Sequence, residues 1–367
     1  MKPVVILLGK IPPPFMGPAI ATEIILKSGL NDHFTLIHLD TRMNDDLRNI
    51  GKWSFAKISR SIQIYRELLS KIKKHDPALV LIPISQSTTG FIKDAIFIQF
   101  SRMMGKKVLL QLRGSDFKRW LETTSGINQW FVRRMLKSTQ GMIVLGNNLK
   151  YLFEGFYPPQ KILVVPNGGN YILPTRNRTE DNIIHLLYLG NLQASKGIED
   201  VIKAASLLKK THAGKFELSV IGGWRKEETK VKCLALVQEQ NLPITFFPPE
   251  VSREKLQYLI NADIFVFPPR EPEGHPWVIV EAMACGLPII STDQGAIIES
   301  VIHEQNGYIV KPANPQEIAE KMAVLIDNPQ LRQRMAIASR KQYETNFTEA
   351  KMVEHMTTAF NTVINAK

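Results

Sequence analysis

Short, continuously apolar segments alternate with amphipathic segments through the first half of the chain. The first is the run from Val4 to Leu8, which ends at Gly9. An unbroken apolar run of this length is typical of a strand that is buried on both faces of a parallel sheet. The pattern predicts strands at 4–8, 34–39, 78–82, 107–112, 141–145 and 161–165, and helices at 18–30, 55–74, 92–104, 127–137 and 149–155.

The alternation stops over residues 167–182, which are rich in Gly, Asn, Pro, Thr and Arg and show no apolar periodicity. Such a segment is typical of a linker between domains. Beyond it, strands are predicted at 185–188, 217–221, 244–247, 264–267, 288–291 and 307–310, and helices at 197–210, 227–240, 253–262, 277–285, 297–301, 315–327 and 330–345.

Repeated strand–helix units predict an α/β protein made of two Rossmann-like, doubly wound domains that face each other across a cleft. We assign residues 1–172 to the first domain and residues 181–348 to the second. The amphipathic tail 349–367 is expected to form a helix that packs back on the first domain.

The composition is that of a folded globular protein, with 44% hydrophobic and 22% charged residues among 367. Cys233 and Cys285 lie far apart and match no disulfide framework or metal-binding spacing, which favours a reducing, cytoplasmic environment. Apolar runs are too short for a signal peptide or a membrane span. We therefore expect a cytoplasmic protein.

The net charge of +12 is distributed unevenly. Residues 1–175 hold 24 Lys and Arg against 11 Asp and Glu, whereas residues 176–367 hold 22 against 23. The basic positions of the first half include Lys52, Lys57, Arg60, Lys71, Lys73, Lys74, Lys106, Lys107, Lys118, Arg119, Arg133, Arg134 and Lys137. They are either solvated helix faces or a surface that contacts anionic lipid at the inner face of the plasma membrane. A nucleic-acid partner is not expected, because no nucleic-acid-binding motif accompanies the charge.

The densest chemical signal runs from Pro268 to Pro288. A predicted strand ends at prolines, a turn containing Gly274 follows, and a helix begins near Trp277. The free backbone N–H groups at a helix start favour an anion. Glu273 in the turn and Glu281 along the helix are either a dipole-favoured acid and a solvated residue, or a pair that brackets an extended ligand.

This segment resembles the Glu-x7-Glu signature of the retaining, GT-B-fold glycosyltransferases of family 4. The matching residues are Glu273, Gly274, Pro276, Glu281, Ala282, Met283, Ala284, Gly286 and Pro288. Residues 188–197 are similar to the family's Gly-Arg-Leu-x-x-x-Lys-Gly element, and Pro166-Asn167-Gly168 is similar to the end of its first domain.

The resemblance implies a GT-B fold and a metal-independent, retaining hexosyltransferase without a cofactor. Such an enzyme moves a sugar from a nucleotide-diphosphate sugar to a glycan, glycolipid or lipid-linked acceptor in cell-surface polysaccharide or lipopolysaccharide biosynthesis. Two alternatives stay open at this point. One is a non-catalytic, membrane-binding homologue of the same fold, and the other is a nucleotide-sugar 2-epimerase; product analysis with and without an acceptor separates them.

The resemblance also implies roles for individual residues. Lys196 would contact the donor's diphosphate, Glu281 the ribose hydroxyls, and Glu273 the sugar ring, with Glu273, Lys196 and Arg113 as the catalytic set. The remaining donor-binding residues expected are Gly17, Gly190, Asn191, Gly222, Arg270, Gly274, His275, Pro276, Trp277, Val278 and Ile279.

The chain departs from the family's pattern at three positions. Asn191 replaces a diphosphate-binding arginine, and Arg270 or Arg113 is expected to supply the missing charge. Arg113 itself stands where many relatives have a histidine near the acceptor. His275 replaces an aromatic residue and either hydrogen-bonds the donor sugar or fills space. Gly17, in the loop after the first strand, is either a ligand-approach glycine or an ordinary turn glycine.

Overall fold

The computed structural model describes residues 2–13, 16–42, 55–178, 182–249 and 254–366. The chain divides into two compact units. Unit 1 consists of Met1–Gly169 with Glu349–Lys367, and unit 2 consists of Asn170–Thr348. Unit 2 thus begins eleven residues before the start predicted for the second domain. Lys52 lies outside the described residues, as does the side chain of Lys57.

Unit 1 is built on one parallel sheet. The strands are β1 (Val4–Gly9), β2 (Thr35–Asp40), β3 (Leu79–Pro83), β4 (Lys107–Gln111), β5 (Gly141–Val144) and β6 (Ile162–Val164). The strands β1, β3, β4 and β5 are mostly apolar and buried. The order in the sheet is β2-β1-β3-β4-β5-β6, so the winding reverses direction between β1 and β3. The carboxyl ends of these two strands therefore form the switch point where open α/β sheets bind ligands.

Five α-helices connect the strands of unit 1. They are α1 (Gly17–Lys27), α2 (Phe55–His75), α3 (Thr88–Met103), α4 (Phe117–Thr123) and α5 (Gly126–Lys137). The sequence did not predict α4, whose seven residues are too few to show a helical period. The helix predicted at 149–155 is wrong, because a 3₁₀ helix occupies Asn147–Leu152 instead.

Unit 2 repeats the architecture with a second parallel sheet. Its strands are β7 (Ile184–Leu189), β8 (Phe216–Ile221), β9 (Ile244–Phe247), β10 (Ile264–Phe267), β11 (Ile289–Thr292) and β12 (Gly307–Val310). Their order is β12-β11-β10-β7-β8-β9, the doubly wound Rossmann order, with the reversal between β7 and β10. The predicted pair of doubly wound α/β domains is confirmed.

Seven α-helices cover the sheet of unit 2. They are α6 (Ile198–His212), α7 (Glu227–Glu239), α8 (Glu254–Asn261), α9 (Trp277–Ala284), α10 (Ile297–Ser300), α11 (Pro315–Asp327) and α12 (Pro329–Asn346). The helix α9 is apolar around its whole circumference and is buried under the sheet edge, which is why its single acidic residue, Glu281, is also buried. Within the described residues, every helix of the chain is too short or too polar to span a bilayer.

The last helix, α13 (Glu349–Asn365), returns to unit 1 and completes its core. Phe360 is fully buried, and its ring meets the ring of Phe34 edge-on with the centroids 5.2 Å apart. The ammonium group of Lys107 donates a 2.8 Å hydrogen bond to the carbonyl of Ile364 and so neutralises part of the negative helix end. Unit 1 thus depends on residues from both ends of the chain.

Replacing Phe360 by alanine is expected to lower the free energy of unfolding by about 3–5 kcal/mol, because it leaves a cavity between α13 and the sheet. Urea unfolding gives the size of the loss, and hydrogen exchange should place it in β1 and β3 rather than in β7 and β8. Asn361→Ala, on the exposed side of the same helix, is the matched control and should change stability by less than about 0.5 kcal/mol. A loss below about 1 kcal/mol for Phe360→Ala would contradict this packing.

Candidate active site

Two loops frame the switch point of unit 2. One follows β7 at Gly190 and the other follows β10 at Pro268, the two strands between which the winding reverses. The loops are tied together directly, because the backbone N–H of Arg270 donates a 3.0 Å hydrogen bond to the carbonyl of Ser195. The polar side chains of both loops are therefore held at one end of the sheet.

Glycines allow these loops to approach one another closely. Gly197 has a φ of +79°, and a Cβ at this position would overlap the carbonyl oxygen of Pro268. At Gly222, which follows β8, a Cβ would overlap the carbonyl oxygen of Gly190. No residue with a side chain fits at either position without moving the backbone.

Lys196 and Glu273 form an ion pair at this end of the sheet. Lys196 ends a 3₁₀ turn, and its ammonium group contacts Oε1 of Glu273. The backbone of the turn is fixed from below, since the hydroxyl of the fully buried Tyr188 donates to the carbonyls of Asn191 at 3.1 Å and Lys196 at 3.2 Å. Burial raises the pKa of Glu273, and the Lys196 cation opposes that rise.

The turn between Glu273 and α9 is supported by its neighbours. The carbonyl of Gly274 accepts a 2.8 Å hydrogen bond from the backbone N–H of Ala296. Pro276 caps α9, so Trp277, Val278 and Ile279 form the first helical turn. The backbone N–H of Ile279 donates a 3.1 Å hydrogen bond to the carbonyl of Pro276, whereas those of Trp277 and Val278 precede the first helical acceptor. The helix start that the sequence predicted near Trp277 is confirmed.

His275 points its side chain into the protein interior. It is 4% exposed, its Nε2 lies 2.7 Å from Oγ of Ser300, and its ring packs on Phe347 with the centroids 5.1 Å apart. Burial lowers its pKa to about 3, so the imidazole is neutral at physiological pH. Of the two roles considered for this side chain, the geometry favours space filling.

Glu281 is buried rather than solvated, with 2% of its surface exposed. Its Oε1 accepts a 2.6 Å hydrogen bond from the ammonium group of Lys255 on α8. Its Oε2 is buried and has no hydrogen-bond partner within the described residues. Burial raises the pKa of Glu281, and the Lys255 cation opposes the rise. An unpartnered buried carboxylate oxygen is costly, so this atom is prepared to accept a donor from a ligand.

The positive charge beside Asn191 comes from a residue that the sequence did not indicate. Arg225, in the loop after β8, donates from Nε at 3.2 Å and from Nη2 at 3.0 Å to Oδ1 of Asn191. It is exposed and forms no ion pair with a carboxylate among the described residues. Arg225 lies 34 positions beyond Asn191, and the only local signal was its place just after the glycine pair that ends β8.

Arg270 does not supply that charge. Its guanidinium binds Asp200 through two 2.6 Å hydrogen bonds and Glu199 through one of 3.1 Å, all at the start of α6. This triad raises the pKa of Arg270 and satisfies its charge. The expectation that Arg270 replaces the missing arginine is therefore corrected: Arg270 anchors the loop after β10 to α6.

Two residues of the expected set lie in unit 1. Gly17 begins α1, and Arg113 follows β4. The structure thus brings the other expected residues to one end of the unit 2 sheet and leaves these two in a different unit. Within the described part of the chain, no group of three or more His, Cys, Asp or Glu side chains is arranged to hold a metal ion.

Comparison with known protein families gives one match. Residues 174–342, nearly all of unit 2, match the family described as glycosyl transferases group 1. Unit 2 is therefore similar to this family over nearly its whole length. The lysine, the two glutamates and the glycine-bordered loops described above all lie inside the matched segment.

Two curated relatives each match about half of the chain. An uncharacterized glycosyltransferase of Haemophilus influenzae is 26% identical over 204 residues, which cover 55% of this chain and 56% of the relative. The capsular polysaccharide biosynthesis glycosyltransferase CapM of Staphylococcus aureus is 29% identical over 184 residues, which cover 50% of this chain and 47% of CapM. The chain thus spans about half the length of these relatives.

Two solved structures share the fold over the whole chain. Sucrose-phosphate synthase of Thermosynechococcus elongatus superposes with a TM-score of 0.77 at 15% identity, with both chains fully covered. The Anabaena protein HepE in complex with UDP superposes with a TM-score of 0.74 at 14% identity, over 99% of this chain and 100% of HepE. The predicted GT-B fold is confirmed.

The buried His275 gives a pH-dependent contribution to stability. Between about pH 6.5 and pH 3 the unfolded chain binds a proton that the folded chain excludes, so this contribution is complete above pH 6.5 and declines as the pH falls. Below pH 6 the wild type should lose about 1.4 kcal/mol per pH unit more than His275→Gln, measured by urea unfolding at pH 7, 6 and 5. The raised pKa values of Glu273 and Glu281 make stability increase as the pH falls, but they do so equally in the wild type and in His275→Gln. Parallel pH profiles would show that His275 is not buried as a neutral ring.

Proposed function

We propose that this protein is a retaining glycosyltransferase of family 4 that transfers a hexose from a nucleotide-diphosphate sugar to a glycan, glycolipid or lipid-linked acceptor. The biosynthesis of a cell-surface polysaccharide or lipopolysaccharide is the proposed context, which the name of CapM supports. The observation that carries the proposal is the buried, unpartnered Oε2 of Glu281 in a group 1 domain. A nucleotide ribose carries the hydroxyl donors that this oxygen lacks.

In the proposed complex two cations share the donor's diphosphate. Lys196 lies on the loop after β7, and Arg225 reaches the same loop through Asn191. Positive charge at this position stabilises the negative charge that develops on the leaving nucleotide as the glycosidic bond breaks. Asn191 carries no charge, and Arg225 supplies the positive charge from the neighbouring loop.

Glu273 is proposed to act on the sugar. Its Oε1 is held by Lys196, which fixes the carboxylate beside the first turn of α9. From there it accepts a hydrogen bond from a hydroxyl of the donor sugar and opposes the positive charge that develops on the ring. Because the cationic side chains of this chain balance the diphosphate, we propose transfer without a resident divalent metal and without a cofactor.

The test combines substitutions with a transfer assay in which candidate nucleotide sugars are presented with EDTA. Glu281→Gln and Lys196→Ala should each lower kcat/KM by about 100-fold or more, because each removes a charged contact made with the donor. Arg225→Ala should raise the KM for the donor by about tenfold. Arg334→Ala, an exposed arginine of α12, is the matched control and should leave transfer unchanged.

Wild-type rates in the Glu281 and Lys196 variants would contradict the site, provided that thermal unfolding shows both to be folded. NMR of the product tests the mechanism separately, since a retaining enzyme gives the anomeric configuration of the donor. Release of free epimerised sugar without an acceptor would favour the epimerase alternative, and absence of turnover with every donor would favour the non-catalytic one.

We also propose that a groove between α3 and α5 contacts an anionic membrane surface. The groove measures about 1030 Å³ and is bordered by Arg102, Arg133, Arg134 and Lys137, with no acidic residue among its described lining. Trp130 is 62% exposed on its rim, and Ile127 on the same helix is 81% exposed. Exposed tryptophan and isoleucine among cations are typical of helices that lie at a lipid interface.

Sedimentation with phosphatidylglycerol-containing vesicles tests this surface. The wild type should bind these vesicles and not vesicles of phosphatidylcholine alone, because the cations need anionic headgroups. The double substitution Ile127→Ser with Trp130→Ala should weaken binding about tenfold or more. Ile337→Ser, which removes a side chain 65% exposed on unit 2, is the control and should bind as the wild type does. Equal binding by all three proteins would contradict the proposed surface.

A further inference from the structure

A cavity lies at the switch point of unit 1. It measures about 290 Å³ and is lined by the carboxyl ends of β1 and β3, by the loop after β4 and by the first turn of α1. This volume is at the lower end of the roughly 300–1,000 Å³ of pockets that hold small molecules. All of its described lining residues belong to unit 1, whereas Lys196, Glu273 and Glu281 belong to unit 2.

Arg113 lies in the wall of this cavity with part of its guanidinium unused. Nε donates a 3.1 Å hydrogen bond to Oε1 of Gln111, and Nη1 donates to Oγ1 of Thr22 at 2.8 Å and to the carbonyl of Pro18. These bonds orient the group rigidly. Nη2 is buried and has no partner among the described residues, and the side chain forms no ion pair with a carboxylate there. Burial lowers the pKa of Arg113 to about 10, so it remains charged at physiological pH.

Other charges in the cavity add to the positive potential. Lys10 and Lys93 line it, and Asp94 is the one acidic residue among its described lining. Asp94 is already engaged, because its Oδ2 accepts a 2.7 Å hydrogen bond from the backbone N–H of Ser85 and its Oδ1 lies 3.6 Å from Nζ of Lys93. The start of α1 contributes its positive dipole end and has no acidic residue in its first turn.

One acceptor atom complements these donors. Gln86 lines the same cavity, and its side-chain oxygen is buried and has no hydrogen-bond partner among the described residues. Two side-chain atoms are therefore unpartnered: Nη2 of Arg113 could donate to an anionic oxygen, and the amide oxygen of Gln86 could accept from a hydrogen-bond donor. A sugar that carries a phosphate or carboxylate group offers both, the anion on the acidic group and the donor on a neighbouring hydroxyl.

We infer that this cavity binds the acidic group of an anionic carbohydrate acceptor, a sugar phosphate or a sugar acid. Arg113 and Lys10 hold the anionic oxygens, and Gln86 accepts a hydrogen bond from a hydroxyl of the same sugar unit. The identification of this ligand as the acceptor rests on the proposed function. The binding of an anionic sugar by these residues is independent of that function. Part of the excess positive charge in the first half of the chain, that of Arg113 and Lys10, would then serve substrate recognition.

Isothermal titration calorimetry of the full chain with saturating UDP tests the inference with glucose 6-phosphate, glucuronate and glucose as probes. The two anionic probes should bind one site saturably, and glucose should bind at least about tenfold more weakly. Lys10→Gln should weaken glucose 6-phosphate binding severalfold. Lys10 makes no hydrogen bond within the described residues, so its loss should not disturb the fold. Lys161→Gln, an equal charge change on the surface of unit 1, should have no effect.

Equal binding of glucose and glucose 6-phosphate would overturn the inference, as would wild-type binding by Lys10→Gln. Displacement of glucose 6-phosphate by UDP would also overturn it, because the anion would then belong to the donor. Lys196→Ala should leave glucose 6-phosphate binding unchanged. The inference and the proposed donor site can therefore fail independently.

Discussion

The burial of two carboxylates at the carboxyl end of a parallel sheet is the constraint on which the site of unit 2 depends. An isolated buried charge is costly, and each glutamate is offset by one lysine from another part of the chain: Glu273 by Lys196, and Glu281 by Lys255. The neighbouring loops must lie close enough to make these pairs, which explains why no side chain fits at Gly197 and Gly222. Oε2 of Glu281 is buried without a hydrogen-bond partner within the described residues, and we propose that a ligand supplies the missing donor.

The two units differ in how their charged side chains are paired. In unit 2 the acids of the site are paired and Arg270 is neutralised by Asp200 and Glu199, which leaves Arg225 as a cation that is free to meet an anionic ligand. In unit 1 the cations outnumber the acids both in the cavity at the switch point and along the groove between α3 and α5. Part of the positive charge of unit 1 is therefore located in two places, the cavity and the groove.

Most strands and helices follow from the sequence because buried parallel strands are read directly as apolar runs. The strands β9, β10 and β12 and the helix α11 begin and end where the pattern predicts. The short helix α4 could not be predicted, since seven residues do not show a period. The segment Asn147–Leu152 has helical composition, and only tertiary packing makes it 3₁₀.

Within the site, Lys196, Glu273 and Glu281 were identifiable because they belong to two motifs that resemble those of a known family. Arg225 was not, because its relation to Asn191 exists only after β7 and β8 pair in the sheet. The same holds for Arg270, whose acidic partners stand 70 positions earlier in the chain. The inward orientation of His275 depends on Ser300 and Phe347, which belong to separate elements. Long-range pairing, rather than composition, decides these assignments.

A crystal structure of the protein with bound UDP tests the central claim most directly. We expect the ribose hydroxyls to donate hydrogen bonds to Oε2 of Glu281 and the diphosphate to contact Lys196 and Arg225. A nucleotide bound elsewhere, or bound at this end of the sheet without contact to Glu281, would contradict it.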